Sequence, residues 1–127
     1  MFRVLTRQMA TTEPYRKLPG KAGEAYKRGE ALVLAGGVLT KCGATAKPTH
    51  IAVADVAAAT PALDVPVFTV LPDMEFITDA TATVAATLIG SKVTLGTDAL
   101  GVTATTTDGV FTITGTDGDK VVTGRFN

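Results

Sequence analysis

Two runs rich in β-branched residues, 102–107 and 110–114, flank the dipeptide Asp108-Gly109. Asp-Gly is a strong hairpin signal because both central residues of a type I′ turn need a positive φ. On a two-residue loop, Thr107 opposes Val110, Thr106 opposes Phe111 and Ala104 opposes Ile113. One face then carries Val102, Ala104, Thr106, Phe111 and Ile113. The other carries Thr103, Thr105, Thr107, Thr112 and Thr114, with Val110 its one apolar member. The pattern predicts an antiparallel sheet with one face in a core and one in water. A slip of one residue would mix the two sets, so register is specified. Thr-Asp recurs at Thr97-Asp98, Thr107-Asp108 and Thr116-Asp117, the turn spacing of a sandwich or barrel.

A chain of 127 residues is long enough for one domain with a real core. Its 46% hydrophobic content is dominated by small side chains, and it has no Trp. A core so thin favours help from a partner or from self-association. The formal net charge is zero, yet residues 1–28 hold seven bases and two acids. The remainder holds five bases and ten acids. That asymmetry predicts docking of the basic segment on something acidic, a neighbouring copy included. With few aromatics and no nucleic-acid motif, the segment is not expected to bind nucleic acid. No stretch reaches 18 consecutive apolar residues, and the first residues lack the apolar core of a signal peptide. The expectation is a soluble protein made in the cytoplasm, with no membrane partner.

Residues 1–23 read as an extended N-terminal arm, and 24–127 as a single β-domain. Phe2 and Val4 alternate with Arg3 as in a short strand, and Pro14, Pro19, Gly20 and Gly23 then break regular structure. Residues 31–35 and 38–41 flank Gly36-Gly37, a second hairpin signal. Pairing Ala35 with Val38 leaves both faces apolar, so this hairpin is expected to be covered on both sides. Strands follow around Ile51, over 65–71 and from Met74 to Ile77. Residues 79–91 fit either one short helix or an irregular segment. The predicted class is all-β and mainly antiparallel: a small barrel or sandwich with an extended N-terminal arm and at most one short helix.

Chemistry is scarce. His50 is the one histidine and Cys42 the one cysteine, so neither a metal cluster nor a disulfide can form from these types. Paired as base and nucleophile they would lack an orienting third residue, so Cys42 reads as a small buried hydrophobe. Asp117-Gly118-Asp119 lacks the remaining ligands of a calcium loop and suits a turn. No catalytic residues, metal or cofactor are expected, and the chain does not read as an enzyme.

The phrases GEALVLAGGVLTKCGATAKPTHIAVADV (29–56), VPVFTVLPDMEF (65–76) and IGSKVTLGTDALGVTATTTDGVFTITGTDGD (89–119) resemble small head decoration, or cement, proteins of tailed bacteriophages. The resemblance covers roughly residues 24–126. It implies a structural protein that binds the outer surface of the expanded head, commonly as a homotrimer, and stabilises adjacent major capsid protein subunits. The localisation it implies is the virion, after synthesis in the host cytoplasm. The basic arm has no counterpart in those phrases. On the charge and apolar pattern, Phe2, Arg3, Val4, Leu5, Arg7, Tyr15, Arg16 and Lys17 are the expected interface with capsid subunits. The alternative is a secreted or surface β-sandwich module that binds a ligand or glycan, which Thr-rich faces also suit.

Overall fold

Phe111 and Ile113 are fully buried, while Thr112 is half-buried and Thr114 exposed, as their alternation requires. The structure, a computed structural model, describes residues 1–7 and 15–126, with Thr6 and Arg7 described by their backbone alone. Glu13 and Pro14 of the expected arm lie outside the described residues. Ten strands are formed among the rest. They are β1 (Arg3–Arg7), β2 (Arg16–Pro19), β3 (Ala31–Ala35), β4 (Val38–Lys41) and β5 (His50–Ala52). Then follow β6 (Asp64–Thr69), β7 (Met74–Asp79), β8 (Lys92–Val93), β9 (Phe111–Thr116) and β10 (Val121–Phe126). One sheet has the order β1-β7-β10-β9-β8 and the other β2-β6-β5-β3-β4. All the strand pairs are antiparallel, and the fold is an all-β, sandwich-like arrangement of two five-stranded sheets. Residues 79–91 are mostly irregular, with a single 3₁₀ turn at Ala86–Leu88.

The first sheet is wet on its outer face. There the Thr114 hydroxyl donates to Glu75 Oε2 at 2.9 Å and lies 3.1 Å from the Thr123 hydroxyl. Its inner face carries Met74, Phe76, Phe111, Ile113, Val122 and Phe126, which meet Ala31 and Ile51 of the second sheet. Four rings gather at the centre: Phe2 lies 5.1 Å from Phe126, which lies 5.2 Å from Phe76 and 5.1 Å from Phe111 between centroids. The close spacing is what edge-to-face packing of aromatic quadrupoles favours.

The second sheet has two apolar faces, as the 31–41 hairpin predicts. Its register is the expected one, with Ala35 opposite Val38 and Leu34 opposite Leu39, around Gly36 and Gly37 at φ of 60° and 82°. Ala31 and Val33 face the central core. Leu32 and Leu39 face a second, smaller core with Ala52, Val65, Val67 and Tyr26. The hairpin tip escapes this cover, leaving Ala35 and Leu34 exposed. Gly20, one residue beyond β2, bridges Leu39 of β4, so the sheet curls around the second core without becoming a closed barrel.

Two expectations are corrected. Residues 102–107 do not pair with 110–114. They run back against 94–96 instead, where Thr103 N–H donates to Thr94 O at 2.9 Å and Thr94 N–H to Thr105 O at 3.0 Å. That turn falls at Thr97-Asp98, with Ala99 at a φ of 57°. The chain does bend at Asp108, whose φ is 56°. Gly109 serves a close approach rather than a type I′ turn: a Cβ there would lie 2.2 Å from Lys92 O. β9 therefore lies between β8 and β10, and its hairpin turns at Asp117-Gly118-Asp119. Asp117 Oδ1 accepts from Asp119 N–H at 2.8 Å and Val121 N–H at 3.2 Å, the local role expected of it.

The second correction concerns the arm. Phe2 is 2% exposed and part of the central core, β1 is the edge strand beside β7, and β2 is the edge strand beside β6. The described part of residues 1–23 thus completes both sheets instead of reaching outward. The physical cause is that β6 and β7 would otherwise present unpaired edges. β1 in turn carries a bulge between Val4 and Thr6, a feature that blunts an edge against further pairing.

Candidate docking surface

Building the N-terminal segment into the sheets divides its expected interface residues. Phe2 is removed from any interface by burial. Val4 and Leu5, at the edge of the first sheet, are 38% and 45% exposed, and Tyr15, just before β2, is 65% exposed. Arg3, Arg16 and Lys17 are exposed on the two edge strands. Arg7 is placed by its backbone opposite Met74. The segment thus presents apolar side chains and cations on edge strands of two different sheets.

Among the described residues, the one ion pair within 4.0 Å joins the Met1 amine to Asp79, at 3.9 Å. Arg3, Arg16, Lys17, Lys21, Lys27 and Arg28 therefore have no carboxylate partner at that distance among the described residues. Arg3 and Arg28 flank a groove of about 200 Å³ whose apolar lining includes Val4, Val53 and Phe68. A wider hollow of about 630 Å³ lies beside Lys17, between Val56-Ala57 and Ala62-Leu63. Leu63, at 52% exposure, belongs to an exposed apolar loop that the sequence reading passed over. The signal was available in Ala57-Ala58-Ala59 and Pro61-Ala62-Leu63, which hold few polar groups.

The residues tested for chemistry are held by ordinary packing. Cys42 is buried and its thiol donates to Ala46 O at 3.1 Å; burial pushes the thiol up to about 11. A thiol so held stays protonated and is a poor nucleophile near neutrality. His50 is buried, with Nδ1 2.8 Å from the Thr49 hydroxyl, which accepts Leu34 N–H at 2.8 Å. Burial, assisted by Arg16, lowers its pKa and favours the neutral ring. Among the described residues, no three His, Cys, Asp or Glu side chains are grouped to hold a metal ion, and no helix is long and apolar enough to cross a membrane.

Sequence reasoning missed Glu30. It is 3% exposed at the start of β3, with Oε2 lacking a hydrogen-bond partner. Its residue type suggested a solvated position. Its place directly before Ala31-Leu32 was the available sign of burial.

Comparison with known proteins adds no name to this geometry: no protein-family model matches the chain, and no curated protein matches it.

Proposed function

We propose that this chain is a structural protein of a tailed-bacteriophage head, which binds the outer capsid surface and ties adjacent major capsid protein subunits together. The single observation that carries the docking part of this reading is the set of six N-terminal cations without a carboxylate partner among the described residues, beside exposed Val4, Leu5 and Tyr15. Such a surface is complementary to an acidic protein face with apolar pockets. The resemblance supplies the identity of that face. Its three phrases form β3 to β5, then most of β6 and the start of β7, then β8 and β9.

The mechanism follows from where the segment is fixed. An arm free in solution would lose chain entropy on docking, whereas edge strands already held in two sheets present Arg3, Arg16 and Lys17 with that cost already met by folding. Each exposed ion pair contributes only about 0–1 kcal/mol and weakens with salt. Occupancy then depends on several copies acting at one symmetric position, as a homotrimer does, because each raises the effective concentration of the others. Catalysis has no part in this role.

The test uses the full-length protein and expanded heads assembled from the major capsid protein of the genome that encodes this chain. The expected outcome is saturable occupancy of the outer surface, lost as salt rises, with heads that survive higher temperatures. Absence of binding to heads, or tighter retention on a glycan array, would reject the decoration reading in favour of a surface ligand-binding module.

A further inference from the structure

The second core is closed from outside by residues 20–28, which cross the curled sheet as a strap. Gly20 bridges Leu39 at one end of the strap and Tyr26 bridges Val56 towards the other. Tyr26 is 2% exposed and works as a plug: its hydroxyl accepts Lys21 N–H and donates to Leu39 O, both at 2.7 Å. Glu24 Oε1 accepts Lys41 N–H at 3.2 Å, covering the outward edge of β4. The strap then turns, with Glu30 N–H donating to Lys27 O at 3.0 Å, and enters β3.

Glu30 stands at that turn, on the side of β3 that carries Leu32 and the second core. Its backbone is fully used, since its carbonyl also accepts Ala52 N–H at 3.0 Å. Its side chain is not. Oε2 is buried and unpartnered, and a buried ionised carboxylate in that condition is costly. The charged and titratable groups around it are Lys41 from β4, and Glu24, Tyr26 and Lys27 from the strap. The carboxyl therefore faces the pieces that hold the strap down.

We propose that the strap is a proton-operated latch: it lies closed over the second core while Glu30 is protonated, and loses hold when that proton leaves. The carboxyl pKa agrees in direction. Burial raises it from 4.5 to about 7, with Glu24 adding to the rise and Lys41 and Lys27 opposing it. The closed state thus keeps a proton that the open or unfolded chain has released. Its stabilisation is complete below the ordinary glutamate range and is lost as pH rises through about 7. Above that, the Glu30 and Glu24 carboxylates repel each other beneath the strap, and the Lys21 and Lys41 amides that it covers become open to exchange. This device is independent of the docking reading, because it concerns how this chain holds itself.

The test is amide hydrogen exchange on the full chain at about pH 5.5 and about pH 8, corrected for the intrinsic rate at each pH. Protection of peptides within 20–28 is expected to fall roughly thirtyfold at the higher pH, about one and a half units of linkage between pH 5.5 and a carboxyl midpoint of about 7. Peptides of β9 and β10 should keep theirs. In Glu30→Gln, which holds a neutral side chain at both values, strap protection should be the same at both. Equal protection in the unaltered protein, or an undiminished pH response in Glu30→Gln, would overturn the latch. Should that variant fail to fold, carboxyl NMR titration of the unaltered protein decides: a Glu30 midpoint near neutrality supports the latch, and one at 4.5 overturns it.

Discussion

Deletion of residues 2–23 is expected to unfold this protein rather than to release a docked arm. The deletion takes Phe2 out of a four-ring cluster and strips β1 and β2 from the edges of both sheets. Loss of a buried Phe side chain alone costs about 3–5 kcal/mol. That is a large share of the roughly 5–15 kcal/mol by which a domain of this size is stable. The loss of Gly20, which bridges Leu39, opens the curl as well. Thermal denaturation followed by circular dichroism should show a cooperative transition in the full chain and none in the truncated one. Phe2→Ala, a milder change, should keep the transition but lower its midpoint by about 10–20 °C. A truncated chain that melts with the full chain would mean that the N-terminal strands are ornaments on a self-sufficient domain.

The second large effect is expected at Phe111. The ring has no exposed surface and lies 5.8 Å from Phe2 and 5.1 Å from Phe126 between centroids. Gly124 makes room for it, since a Cβ at that position would lie 2.5 Å from the Phe111 ring. Phe111→Ala should destabilise by about 3–5 kcal/mol in denaturant titration, through the cavity and the lost ring contacts. Thr112→Ala and Thr114→Ala, on the outer side of the same strand, should cost far less. Equal effects at Phe111 and Thr114 would contradict the assignment of faces.

Phe111 and Thr114 also illustrate what a sequence of this kind reveals. Alternation along one strand reports which side chains share a face, because the period of two is built into extended backbone. That is why the inward positions of Phe111 and Ile113 were legible, and the apolar two-sidedness of 31–41 as well. Gly36-Gly37 fixed a register because both residues need positive φ and the strands continue directly from them. Alternation does not report the partner strand. Residues 102–107 carry the same Thr-rich pattern whether they lie against 110–114 or against 94–96, and the choice rests on Gly109 fitting under the Lys92 carbonyl. The N-terminal segment was misread for a related reason. Its Pro and Gly content describes a poor core-former, which it is. It says nothing of the open edges of β6 and β7 that such a segment can cover. Glu30 stayed hidden because a carboxylate next to an apolar strand looks identical in sequence whether a strap covers it or not.

The exposed basic segment with apolar residues, on which the proposed docking rests, was legible in kind but not in form. Its residues lie on two sheet edges, with Phe2 withdrawn into the core and Tyr15, Arg16 and Lys17 left outward. A charge reversal can therefore alter docking while leaving folding alone, which no deletion can do. The measurement is occupancy of expanded heads by a triple variant, Arg3→Glu, Arg16→Glu and Lys17→Glu, beside the unaltered chain at low salt. The variant should melt close to the unaltered chain, because exposed charges contribute little to stability. Its occupancy should fall at least tenfold, with the salt dependence gone. A folded variant that decorates heads as fully as the unaltered chain would contradict docking through the basic edges.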